Sequence, residues 1–135
     1  MDKILVIDDE KYVLTLCKYV LEGKGYDVSL AISRVEALKQ LESKEFDMAV
    51  IDCTLGFYIG KDLISEIAVN YPNMGFIVMS GHFYSEEVEA CYSKGAYFCL
   101  DKPFKHRELL DVVAGCLKSL DEKAQKKRYS HHNKS

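Results

Sequence analysis

Asp8, Asp9 and Glu10 follow directly on four apolar residues, Ile4, Leu5, Val6 and Ile7. Like charges about 4 Å apart repel by roughly 4 kcal/mol at an effective dielectric of about 20. A cation, a helix N-terminus or both must offset that. Three more polar residues sit in a comparable place. Asp52 ends the run "MAVID", Ser80 ends "GFIVMS", and Lys102 follows "YFCL" by two residues. Asp8, Asp9 and Asp52 make an oxygen-rich anionic set suited to Mg²⁺, which prefers a few carboxylates and keeps several waters. A carboxylate can also act as a nucleophile and become an aspartyl phosphate. Phosphoryl oxygens then need a metal, a cation and a hydrogen-bond donor around them. Lys102 offers the cation and Ser80 the donor.

Each residue also has a plainer reading. The acids could cap a helix and favour its dipole. Ser80 before Gly81 could be a turn, and Lys102 a solvated lysine. Their shared position decides between the readings, and that position depends on the elements.

Apolar runs alternate with helical patterns along the chain. "KILVID" (3–8), "YDVSLA" (26–31), "DMAVID" (47–52), "GFIVMS" (75–80) and "YFCL" (97–100) read as strands. Residues 10–23 place Val13, Leu16, Cys17, Val20 and Leu21 on one helical stripe, ended by Gly23 and Gly25. Ser33 and Glu36 stand at capping-box spacing ahead of Val35, Leu38 and Leu41. A Gly-containing loop, "CTLGFYIG", leads to a helix over 61–71 that Pro72 stops. A fourth helix is predicted over 85–94, capped by Ser85 and stopped by Gly95. A fifth follows "DKPF" and carries Leu109, Leu110, Val113, Cys116, Leu117 and Leu120. Near-continuous apolar strands imply a parallel sheet covered on both faces. Residues 121–135 lack an apolar stripe and read as a frayed helix end running into a polar tail or linker. In such a sheet, ligands bind outside the carboxyl ends of the strands. All the polar residues singled out above fall at that edge, which one site explains better than separate accidents.

The totals fit one globular domain, residues 1–120, in a chain of 135 that is 48% hydrophobic. A net charge of -3 offers no basic footprint for nucleic acid. The N-terminus meets acids at once, unlike a signal peptide, and no run approaches a membrane span. Five cysteines with no C-x-x-C pair argue against zinc or a disulfide framework. Reduced, mostly buried thiols in a cytoplasmic protein are expected.

The order "ILVIDDE", "MAVID", "IVMSG" and "DKPF" on this alternating chain resembles a response-regulator receiver domain of two-component signalling, over about residues 2–120. The resemblance implies a flavodoxin-like doubly wound (βα)5 α/β fold with a five-stranded parallel sheet. It implies that a histidine kinase or phosphotransfer protein donates a phosphoryl group to Asp52. Asp8, Asp9, Asp52 and the backbone carbonyl of Thr54 would hold Mg²⁺, or Mn²⁺ in its place, with Asp9 the direct ligand. Ser80 and Lys102 would bind the phosphoryl group, and Gly60 matches the glycine that opens the third helix. The domain would catalyse its own phosphotransfer and autodephosphorylation without multiple turnover. It would control an unknown output domain or protein, with no membrane or direct nucleic-acid contact. It could stand alone or be cut from a longer regulator or hybrid kinase.

Several positions depart from the family pattern. Gly56 stands where a Pro is frequent, and Phe57, Tyr58 and Ile59 make that loop apolar. Cys99 replaces the inward-swinging Tyr or Phe. Tyr97, expected on the same side as Cys99, is the nearest substitute switch. Lys105 and His106 replace the usual Asp, which predicts a poorly capped last helix. Thr54 and His82 occupy the two positions that flank the hydrolytic water in the family. Thr54 lacks a carboxylate, whereas neutral His82, with an ordinary pKa of about 6.5, could orient water. Three other readings compete. A halo-acid-dehalogenase-like phosphatase needs an Asp where Thr54 stands. A flavodoxin-like cofactor protein needs a phosphate loop where "DDEK" repels phosphate. A degenerate receiver would only mediate contacts.

Overall fold

The computed structural model describes residues 1–56, 62–81 and 85–132. Five strands, β1 (Lys3–Ile7), β2 (Asp27–Ala31), β3 (Met48–Asp52), β4 (Gly75–Ser80) and β5 (Phe98–Asp101), form one sheet in the order β2-β1-β3-β4-β5. Every adjacent pair is parallel. The helices are α1 (Lys11–Glu22), α2 (Arg34–Ser43), α3 (Cys53–Gly56), α4 (Leu63–Asn70), α5 (Ser85–Ser93) and α6 (His106–His132). The expected doubly wound α/β architecture is present.

Strand alternation builds two core layers. Ile4, Val6, Met48, Val50, Ile77, Met79 and Leu100 pack with α1 and α6. Leu5, Ile7, Ala49, Ile51, Phe76 and Val78 pack with α2, α4 and α5. The central strands are buried on both faces, which explains their unbroken apolar runs. The strand order reverses between β1 and β3, so the crevice of an open α/β sheet opens there, at the ends that carry Asp8 and Asp52.

Local signals set the helix limits. The Ser33 hydroxyl accepts from the Glu36 amide at 3.1 Å, and the Glu36 carboxylate accepts from the Ile32 amide at 2.8 Å. Asp62 caps α4 by accepting from the Ser65 amide at 3.2 Å. Gly95 ends α5 at φ 106°, a conformation that other residues rarely adopt. Its amide reaches the Tyr92 carbonyl while the Ala96 amide reaches Cys91, both at 3.0 Å, a Schellman pair.

Some expectations need correction. The segment after Asp52 begins as a helical turn, α3, rather than a loop. Ser85 is the first helical residue of α5. Val35 is 58% exposed, because Ala37 and Leu41 supply the inward face of α2. Leu14 is buried on α1, where Leu16 is only partly so. The start of α6 has half a capping box: the Glu108 carboxylate accepts from the Lys105 amide at 2.9 Å. That helix also continues to His132, instead of fraying after residue 120. No Gly or Pro falls between residues 121 and 132, and the bases at 126–128 lie toward the C-terminal end of the helix, as the helix dipole favours. Helix propagation from an anchored stretch needs no apolar stripe. Past Leu120 it overhangs the amino ends of the strands. There Lys123, Ala124 and Lys127 help wall a cavity of about 320 Å³.

Candidate functional site

The sheet delivers the singled-out side chains to one edge. Asp8 follows β1 directly and is fully buried; its amide donates to the Ala31 carbonyl at 3.1 Å. Asp52 is the last residue of β3 and Ser80 the last of β4, and both are buried. Lys102 follows β5. Its amide donates to the Ser80 carbonyl at 2.7 Å, which ties the ends of β4 and β5 together. Phe104 then packs into the α1/α6 layer and anchors the segment.

Lys102 is the electrostatic centre. Its ammonium lies 2.7 Å from Asp8, 3.2 Å from Asp52 and 3.7 Å from Glu10. This cation offsets the acid run at the end of β1. The helix N-terminus contributes less: Glu10 occupies the N-cap of α1 but makes no side-chain cap bond. The Glu10 amide instead donates to Asp8 at 2.8 Å. Burial and then the Asp8 charge push the Asp52 carboxyl above its ordinary range, and Lys102 only partly offsets them. Burial acts against the Lys102 ammonium. The hydrogen bond to Asp8 and the charges of Asp52 and Asp8 outweigh burial, so its pKa rises. The two directions agree, because one cation is shared among three acids.

Asp8, Asp9 and Glu10 hold carboxylate oxygens within 4.8 Å of one another. Only carboxylates form this trio, a hard donor set that fits a divalent cation such as Mg²⁺. Glu10 was not among the predicted ligands; its place as third acid of the run was the available signal. Asp52 lies outside the trio and is joined to it through Lys102. Thr54 sits on α3 with its side chain exposed.

The two switch positions separate. Cys99 joins the α4/α5 layer, and its amide donates to the Tyr92 hydroxyl of α5 at 3.2 Å. Tyr97 turns to α6 instead, where a Cβ on Gly115 would stand 2.6 Å from its hydroxyl. The expectation that they share a side fails because β5 starts at Phe98, and alternation holds only inside the strand. His82, Phe57, Tyr58, Ile59 and Gly60 lie outside the described residues.

The family model described as response regulator receiver domain matches residues 4–114. The chain belongs to that family. This receiver domain is a phospho-acceptor signalling switch of two-component systems, and the family match favours that reading over a phosphatase or a flavin protein. It is similar to the alginate biosynthesis transcriptional regulatory protein AlgB of Pseudomonas aeruginosa, 32% identical over 101 residues. That match covers 75% of this chain and 22% of AlgB. Response regulator SaeR of Staphylococcus epidermidis is 27% identical over 134 residues, covering 99% of this chain and 56% of SaeR. Among solved structures, a CheY-like receiver domain protein from Methanospirillum hungatei superposes with a TM-score of 0.85 at 28% identity. It covers 91% of this chain and 98% of the other. NtrX from Brucella abortus superposes at 0.89 and 26% identity, over all of this chain and 30% of NtrX. The receiver domain thus spans only a part of AlgB, SaeR and NtrX. No helix among its described residues is long and apolar enough to cross a membrane.

Proposed function

We propose that Asp52 is the phosphoacceptor of this receiver domain, and that a phosphohistidine on a histidine kinase or phosphotransfer protein is the donor. The observation that supports this most is Lys102, set between Asp8 at 2.7 Å and Asp52 at 3.2 Å at the switch point of the sheet. A carboxylate oxygen of Asp52 attacks phosphorus. The O–P bond forms as the P–N bond breaks, and the imidazole leaves after taking a proton. Lys102 follows the phosphoryl charge, and the Ser80 hydroxyl donates to a phosphoryl oxygen. Asp8, Asp9, Asp52 and the Thr54 carbonyl would hold Mg²⁺, or Mn²⁺, which supplies charge neutralisation at the phosphoryl oxygens.

In this reading Thr54 and His82 tune hydrolysis of the phosphoryl group, and Cys99 leaves Ser80 room to move. Residues 1–120 form the receiver and 121–135 a polar tail or linker. The domain works in the cytoplasm and controls an output domain or protein without touching nucleic acid itself. The test is incubation with a small phosphodonor and Mg²⁺, followed by intact mass. Wild type gains one phosphoryl group and Asp52→Asn gains none. Equal labelling of the two would overturn the assignment and leave a contact-only receiver.

A further inference from the structure

Leu120 lines two cavities at the amino edge of the sheet, and their charges differ. The larger, of about 690 Å³, mixes Asp2, Glu45, Asp47 and Asp121 with Lys3 and Lys44. The smaller, of about 320 Å³, has Lys94, Lys123 and Lys127 in its lining and no acid. That reverses the sign of the chain as a whole, whose net charge is -3. Asp121 follows Leu120 directly but lines the larger cavity, so the overhang of α6 parts acid from base.

The smaller cavity has an apolar floor and fixed walls. Phe76 is buried in the α4/α5 layer with Met74 packed against it, while Leu120 packs against the α1/α6 layer. The floor therefore lies where the two layers meet, at the start of β4. The Met74 amide donates to the Tyr71 carbonyl at 3.0 Å, and the Tyr97 amide to the Phe76 carbonyl at 2.8 Å. Gly75 lets α6 pass this close, since a Cβ there would stand 2.7 Å from the Cys116 sulfur and 3.0 Å from Leu120 Cδ1. The lysines differ in what holds them. Lys94 is paired with Asp62, at the N-cap of α4. Among the described residues the bases in ion pairs are Lys18, Arg34, Lys94 and Lys102. Lys123 and Lys127 are exposed and belong to none of these pairs. They stand one helical turn apart on α6, roughly 6 Å.

We propose that the smaller cavity docks an acidic segment of a partner protein, with one aromatic side chain on the apolar floor and carboxylates against Lys123 and Lys127. Charge complementarity selects the sign, because the lining carries lysines alone. The larger cavity mixes both signs and selects neither. Size selects a single anchor: about 320 Å³ is at the small end of ligand clefts, which run from roughly 300 to 1,000 Å³. Two lysines one turn apart meet two carboxylates, which a run of acids supplies and one small anion does not. The floor favours a segment with an apolar residue over a plain polyanion, whose charged backbone would leave Met74 and Leu120 uncovered. Walls set in advance by backbone bonds lower the ordering cost of docking. A seated anchor then gives affinity, while the lysines give rate and orientation.

The probe is a short synthetic peptide of glutamates around one central phenylalanine, titrated into the isotope-labelled full chain. Saturable amide shifts are expected at Met74, Gly75, Gly95 and Leu120 to Ala124, with the crevice around Asp52 unmoved. Lys123→Glu combined with Lys127→Glu should weaken binding about tenfold, since two exposed attractions become repulsions. Both sites are exposed, and circular dichroism establishes that the variant is folded; Lys123→Gln with Lys127→Gln replaces it if it is not. A peptide with alanine in place of the phenylalanine should bind about tenfold more weakly or worse, because the anchor is lost. Four results would each overturn the proposal. One is no saturable shift up to about 1 mM peptide. The second is equal affinity for the lysine variant or for the peptide without its ring. In the third, the chain binds vesicles of phosphatidylglycerol and phosphatidylcholine through Lys123 and Lys127 but ignores the peptide, and a lipid surface is the occupant. In the fourth, sedimentation shows a dimer that the lysine variant abolishes, and a second copy covers the cavity.

Discussion

Asp52 and Lys102 carry opposite consequences for stability. A carboxyl whose pKa is raised on folding favours its protonated form in the fold. Its contribution is full below the ordinary carboxylate pKa, and is lost as pH rises through the raised value. In metal-free buffer at about pH 7, Asp52→Asn should therefore melt above wild type. The gap should narrow toward pH 4, roughly where the unfolded carboxyl titrates. Lys102 works the other way. Its raised pKa keeps its contribution through neutral pH, to be lost only in strong alkali. Lys102→Ala leaves the fully buried Asp8 without its cation, and should cost about 3 kcal/mol in a denaturant titration. Added Mg²⁺ should recover part of that loss. At this scale the sequence was informative about Asp8, Asp9, Asp52, Ser80 and Lys102, because strand ends are readable and the family motif is specific. Lys102 contacting Glu10 was not readable, because no pattern shows which way a long side chain reaches.

The elements show where pattern reading works and where it stops. The strands were legible to within a residue, since both-face burial leaves unbroken apolar runs. The one-residue shift of β5 was enough to put Tyr97 on α6 rather than beside Cys99. Gly115 makes room for that ring. Gly115→Ala should displace it, and tyrosine fluorescence or ring NMR shifts should change while the helical signal is kept. Gly95→Ala forces a side chain into a positive φ and should cost on the order of 1–2 kcal/mol in a thermal or denaturant melt. The continuation of α6 past Leu120 escaped the reading because it rests on propagation from an anchored stretch, not on burial. Ending the chain at Leu120 should remove helical signal equal to residues 121–132, and a much smaller loss would contradict the helix.

The whole molecule balances a dense two-layer core against a charged crevice at one end of the sheet. Mg²⁺ that binds only the folded chain should raise its melting midpoint. At a hundredfold excess over the dissociation constant the gain is about 2.7 kcal/mol. Asp9→Ala should weaken that response, and a melt unaffected by Mg²⁺ would mean that the acids serve another role.

The length of α6 has a mechanical consequence. Its 27 residues make a rod of roughly 40 Å, clamped to the sheet by Leu109, Val113, Cys116 and Leu117. The rod starts near Lys102 and ends beyond the opposite edge. The stretch after Leu120 is about 18 Å long, so a tilt of about 10° sweeps its tip through roughly 3 Å. A rearrangement too small to disturb the packed layers at the crevice would thereby become a displacement of several ångströms at the far pole.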